Sequence, residues 1–182
     1  MRITARQVFV GPSQYAHFPV IRLELDLGVL EQWPTGRLGQ AFVDALIDAV
    51  PELAQHGCSY KEPGGLIRRM RENEGTWLGH VLEHVAIELQ NMAGEDVTFG
   101  RTRSIDGRAG VYSVVYEYAQ REEGIEAGEL ALKLLSSLLP DELKSERAVP
   151  ADWSWQDARD ALIRFAKKRA LGEYAAQLIP DL

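Results

Sequence analysis

Gly110-Val-Tyr-Ser-Val-Val-Tyr-Glu-Tyr118 is the stretch from which the fold class follows. Its β-branched and aromatic residues suit a pleated, half-buried strand. Val111, Ser113, Val115 and Glu117 share one face, and Tyr112, Val114, Tyr116 and Tyr118 share the other, because successive strand side chains point to opposite sides. A carboxylate on the Val-Ser-Val face is the anomaly in this pattern. Just upstream, Val97-Thr-Phe-Gly-Arg101-Thr-Arg103 reads as a strand running into a turn at Asp106-Gly107. The two segments predict a hairpin with a loop longer than two residues.

Before that hairpin lies Gly75-Thr-Trp-Leu-Gly-His80-Val-Leu-Glu83-His84-Val-Ala-Ile-Glu88-Leu-Gln-Asn-Met-Ala-Gly94, which predicts one helix. Thr76 suits its N-cap and Gly94 its C′ position. Leu78, Leu82, Val85, Leu89 and Met92 recur at helical spacing as an apolar stripe that must bury. His80, His84 and Glu88 stand on another face, each offset from the last by about 40°, so two imidazoles can converge on one ion. Glu83 lies beside them, about 60° round from His80. Trp77, Val81 and Ile87 flank this polar face, so it too is expected to be covered, and burial makes unpartnered His and Glu side chains costly.

Moving outward, Thr4 to Val10 is a candidate strand and Gly11-Pro12-Ser13 a turn. Val20 to Leu27 alternates charged and apolar residues, the mark of a half-buried strand ended by Gly28. Leu38, Phe42 and Leu46, with Ala45 and Ala49, form a second amphipathic helix that stops at Pro51. His56-Gly-Cys58-Ser59 and Pro63-Gly-Gly65 make a glycine-bearing loop before the short basic segment Leu66 to Arg71, and Gly64-Gly65 is read as a turn. Ala127 to Leu139 is an Ala/Leu helix stopped by Pro140. The order predicts an α+β domain over residues 1–140, a small mixed or antiparallel sheet with packed helices. A polar linker over 141–150 and a helical C-terminal extension over 151–182, bearing Lys167-Lys168-Arg169 on a solvated face, follow it. There is no internal repeat.

The 182 residues suffice for one full core, and 46% apolar with 26% charged residues is ordinary for a globular chain. A net charge of -7 argues against nucleic-acid binding through a broad basic surface and is compatible with a cationic ligand. The single cysteine, Cys58, precludes an intrachain disulfide and is read as a small buried residue; His17 and His56 are read as structural or surface residues. With no signal-peptide h-region and no membrane-length apolar run, the expected location is cytoplasmic, without membrane association.

His80-x-x-Glu83-His84 has the form of the inverted zinc-peptidase motif, in which two neutral imidazoles one turn apart bind Zn²⁺ and the glutamate takes a proton from water. Zinc lowers the pKa of its water from 15.7 to roughly 7, making hydroxide available at neutral pH. Catalysis needs a third protein ligand. Glu88 is the local candidate and Glu117 the remote one, and the sequence does not choose between them. Arg101 and Arg103 are either solvated edge charges or a fork that grips carboxylates.

Several spaced segments then carry a family resemblance: Gly11-Pro12, Leu25-Asp-Leu-Gly28, Cys58-Ser59, Pro63-Gly-Gly65, Glu74-Gly-Thr-Trp-Leu-Gly-His80, Glu83-His-Val-Ala-Ile-Glu-Leu-Gln90, Phe99-Gly-Arg-Thr-Arg103 and Gly110 to Tyr118. Over about residues 8–140 the chain resembles the N-terminal domain of cyanophycin synthetases; Ser113, where Asn is expected, is one departure. The resemblance implies a parent ligase whose ATP-grasp and Mur-ligase-like domains, using ATP and Mg²⁺, alternately add aspartate and arginine to an arginyl-poly-aspartate polymer. It implies a homo-oligomeric parent and cyanophycin as the polymer partner. No ligase signature is found in these residues. Two roles follow. Either the domain hydrolyses the polymer backbone into short primers, with Glu83 as base and zinc on His80, His84 and Glu88 or Glu117, or it anchors the polymer non-catalytically, with Arg101 and Arg103 on its carboxylates.

Overall fold

The computed structural model describes residues 1–58 and 62–146, together with 153, 156–158, 160–165 and 167. Its strands are β1 (Arg2–Phe9), β2 (Val20–Asp26), β3 (Gly100–Ile105) and β4 (Arg108–Glu117), and its helices are α1 (Thr35–Leu38), α2 (Gln40–Ala49), α3 (Gly65–Met70), α4 (Leu78–Met92) and α5 (Arg121–Ser137). All strand pairings are antiparallel and the order is β1-β2-β4-β3, which makes the fold α+β.

The two clearest period-two segments, β2 and β4, become the central strands, with Leu23 opposite Val114 and Leu25 opposite Tyr112. These side chains face the helices and are almost wholly buried. On the outer face Arg22 donates to Ser113 Oγ at 2.9 Å and to Gln7 Oε1 at 3.1 Å, and pairs with Glu24 at 3.0 Å. Ser113, the residue where asparagine was expected, therefore serves as a cross-strand acceptor.

The central helix is α4, which packs on β3, β4 and α5. Of the stripe, Leu78, Leu82, Val85 and Leu89 are fully buried and Met92 is partly buried against the core, and Val81, Ala86 and Ile87 are buried as well. A helix apolar on nearly every side belongs in the core, not on the surface. Its N-terminus differs from expectation: Trp77, in extended conformation, is the N-cap and offers no side-chain cap, while the Thr76 hydroxyl turns inward to His80. Its C-terminus closes at Gly94, whose φ of 94° lets Glu95 N–H reach Gln90 O at 3.0 Å.

Strand β3 starts later than the sequence suggests. Val97 is pinned by Asn91, whose side chain exchanges hydrogen bonds with its backbone N–H and C=O, and Thr98 and Phe99 donate backbone N–H groups to Glu117 at 3.1 Å each. Beyond α5, Asp141–Glu146 forms a 3-10 turn with Leu143 buried, and Glu146 O accepts the Met1 ammonium at 2.8 Å. Residues 156–158 and 160–165 are helical and send Ala158, Leu162 and Phe165 into the core. The rest of the 151–182 extension, and 147–150 of the linker, lie outside the described residues. No helix among the described residues is long and apolar enough to cross a membrane.

Candidate metal centre

Helix periodicity stacks His80 and His84 one turn apart, and their Nε2 atoms approach to 3.2 Å. The loop after the 3-10 turn Pro51–Gln55 then supplies two residues that the sequence analysis had set aside. Cys58 Sγ lies 3.4 Å from His80 Nε2, and His56 Nδ1 lies 3.1 Å from His84 Nδ1. Donor atoms of Cys58, His80 and His84 all fall within 4.8 Å of one another, a grouping able to hold one ion.

A hydrogen-bond chain fixes the rings. Glu88 Oε2 sits 2.6 Å from His56 Nε2, so an N–H there leaves His56 Nδ1 to accept from His84 Nδ1–H. That places the lone pair of His84 on Nε2. At the other end Thr76 Oγ1 lies 2.9 Å from His80 Nδ1; an N–H there puts the lone pair of His80 on Nε2 too. Two lone pairs and a thiol sulfur then converge, an arrangement that a bound cation would relieve. Carboxylate–histidine pairing behind a ligating imidazole is the usual means of setting its tautomer.

The electrostatics agree. Burial, then the charge of Arg69, pushes the His80 pKa down to about 4. Burial, then His80 and His56, pushes His84 to about 3. Both rings are therefore neutral at pH 7, the form that binds metal. Glu83 moves the opposite way: burial lifts its pKa to about 7, against the pull of the Thr102 hydroxyl, which donates to Glu83 Oε2 at 2.6 Å. Such a carboxyl is poised for proton transfer near neutrality.

The predicted residues are thus sorted by position. His80, His84 and Glu83 share one cavity of about 510 Å³ with His56 and Cys58. Glu88 stands behind His56, outside the group of converging donors. Glu117 is engaged by the Thr98 and Phe99 backbone and belongs to the strand entry. Arg101 is exposed and lies over the Phe99 ring at 5.9 Å, whereas Arg103 lines a second cavity on the other side of His80. His56 and Cys58 read in the sequence as structural or buried residues and not as site residues, because loop residues have no periodicity to place them. The available signal was a His-Gly-Cys triplet ahead of a helix with two histidines one turn apart.

Fold and site together define an α+β domain organised on a buried histidine-bearing helix. The family described as "Cyanophycin synthase-like N-terminal domain" matches residues 21–140, and the chain belongs to it. Cyanophycin synthetase of Trichormus variabilis is 35% identical over 183 residues, covering 94% of this chain and 20% of the relative. That of Geminocystis herdmanii is 37% identical over 141 residues, covering 76% and 16%. That of Synechocystis sp. is 38% identical, with the same coverage. The chain therefore spans about a fifth of the length of the first of these relatives.

Proposed function

We propose that this domain is a metal-dependent hydrolase that cuts the backbone of an arginyl-poly-aspartate polymer into short primers, working in the cytoplasm beside the ligase parts of a homo-oligomeric cyanophycin synthetase. The observation that carries this reading is the convergence of Cys58, His80 and His84 next to Glu83. His80 and His84 would hold a zinc ion with Cys58 as the third donor, and Glu88 would act through His56 on the orientation of His84. A thiolate and two imidazoles are a donor set that suits zinc. When bound, zinc supplies a nucleophile at neutral pH and polarises the amide carbonyl.

The remaining chemistry belongs to the chain. Water adds across the amide: its oxygen bonds to the carbonyl carbon, the C–N bond breaks, and the proton taken by Glu83 passes to the leaving nitrogen. Thr102 holds the Glu83 carboxyl in place through its hydroxyl. ATP and Mg²⁺ serve the ATP-grasp and Mur-ligase-like parts of the parent. A second, non-catalytic reading, in which the domain anchors the polymer, draws on the exposed guanidinium groups of Arg101 and Arg103 at the sheet edge.

Elemental analysis of the purified chain together with incubation on insoluble polymer tests the first reading. Stoichiometric zinc and soluble fragments that vanish in Glu83→Gln are expected. A metal-free protein with no cleavage, but with polymer binding unaffected by chelator, would leave the anchoring reading.

A further inference from the structure

Two cavities meet at α4 and share His80 and Glu83 as a common wall. The first, on the side of the 56–58 loop, continues toward Ile87, Asn91 and Val97, and among the described residues no Lys or Arg lines it. The second, about 300 Å³, opens toward the N-terminus of α4 and receives Arg69 from α3 and Arg103 from β3. Arg103 pairs with Ser113 on the edge strand β3, so its Cβ starts from the outer face of the sheet, and the residue contributes to the lining of this cavity at the sheet edge.

The charge of this second cavity runs against the chain's net -7. Two arginines from separate elements line one concavity, and among its described lining residues Glu83 is the one carboxylate. Its aromatic walls are held from behind: Trp77 donates its indole N–H to Glu31 O at 3.0 Å, and the Tyr112 hydroxyl donates to Glu31 Oε1 at 2.9 Å. Fixed walls and planar, multidentate donors are the means by which proteins grip a carboxylate in a defined orientation.

We propose that the Arg69–Arg103 cavity is a subsite for a substrate carboxylate, seating it next to the bond that lies against His80 and Glu83. The inference deepens the hydrolytic reading and rests on it for the word substrate, although the anion site stands on its own lining. An extended chain then crosses α4 with a carboxylate-bearing residue in the smaller cavity and the neighbouring residue in the larger. The subsite fixes which bond is presented, so it sets specificity as well as affinity.

The test measures binding, not cleavage, on the full chain carrying Glu83→Gln and stripped of metal. Calorimetric titrations at low salt use tetra-aspartate, tetra-aspartate amide and tetra-asparagine amide. Tetra-aspartate should bind, its affinity falling as salt rises, and tetra-asparagine amide should bind at least tenfold more weakly. Arg103→Gln and Arg69→Gln should each weaken tetra-aspartate about tenfold, the loss of one charge-assisted pair, while Arg2→Gln on β1 should change nothing. Retained affinity for tetra-aspartate amide assigns side-chain carboxylates, and its loss assigns the chain end; either sustains the subsite. Equal binding of tetra-asparagine amide, no binding of tetra-aspartate, or an unaffected Arg103→Gln overturns it. Should Arg69→Gln fail to fold, Arg103→Gln decides, because that residue is exposed on its strand. Since nothing is cleaved in this background, failure of the hydrolytic reading would show separately, as wild-type protein that binds tetra-aspartate yet leaves the polymer intact.

Discussion

On the helix-covered face of the sheet, Glu83 is 5% exposed and its carboxyl is pushed up to about 7 by burial, with only the Thr102 hydroxyl opposing the shift. On the outer face, Glu24 stays in partial contact with water between Arg108 and Arg22, and first Arg108, then Arg22, hold its pKa below the usual carboxylate range. The two glutamates touch the same sheet and differ in what surrounds them. Where guanidinium groups reach the carboxylate directly, the charge is stabilised and chemically quiet. Where burial dominates and the only opposing influence is a hydroxyl, as at Glu83, the carboxyl keeps a proton affinity suited to transfer chemistry. The sheet thus separates an ion-paired side from a desolvated one that carries the candidate reactive site.

The largest expected effect is on the reactive side. Glu83→Gln should lower polymer cleavage by about 10²–10⁴-fold, the range of a general base, with zinc content unchanged; retention of cleavage would remove Glu83 from that role. Next, Leu82→Ala, in the fully buried stripe under the histidines, should cost about 2–5 kcal/mol in chemical denaturation. A cost below about 1 kcal/mol would mean that α4 is not the packed centre of the fold.

A pH series separates the two glutamates more finely. In metal-free protein the Glu83 pKa rises from 4.5 unfolded to about 7 folded, so ionisation penalises the native state. The penalty is absent below about pH 4.5, grows as pH rises through about 7 and levels off near 3 kcal/mol. Glu83→Gln should therefore gain on wild type at pH 8 and lose that gain by pH 4, and a gain independent of pH would contradict the assignment. The smallest effect belongs to Glu24→Gln, below about 1 kcal/mol and weakened by salt. Its sign is opposite, because a lowered carboxyl pKa stabilises above the unfolded value of 4.5 and that contribution fades as pH falls.

How much of this was written in the chain depends on the range of the interaction. The period-two alternation of β2 and β4 and the helical stripe of α4 are local, and the structure contains both where the pattern puts them. The end of α4 was legible at Gly94 because a positive φ is a local demand. Its beginning was not, since the Thr76 hydroxyl had a second partner to choose, the ring of His80, which stands beside it at 2.9 Å. The same holds for the metal centre. His80 and His84 announce themselves by spacing, whereas Cys58 and His56 arrive from a loop whose path depends on packing. The two carboxylates weighed as third ligand were drawn elsewhere by nearer donors: Glu88 by an imidazole and Glu117 by two backbone N–H groups.

Gly100 opens β3 directly against the Glu83 side chain, and a Cβ built there would overlap its carboxylate. One methyl group at position 100 would thus displace the Glu83 carboxyl, the proposed proton acceptor, without altering any residue of the candidate site itself. Glycine at position 100 is thus part of what permits the arrangement around Glu83.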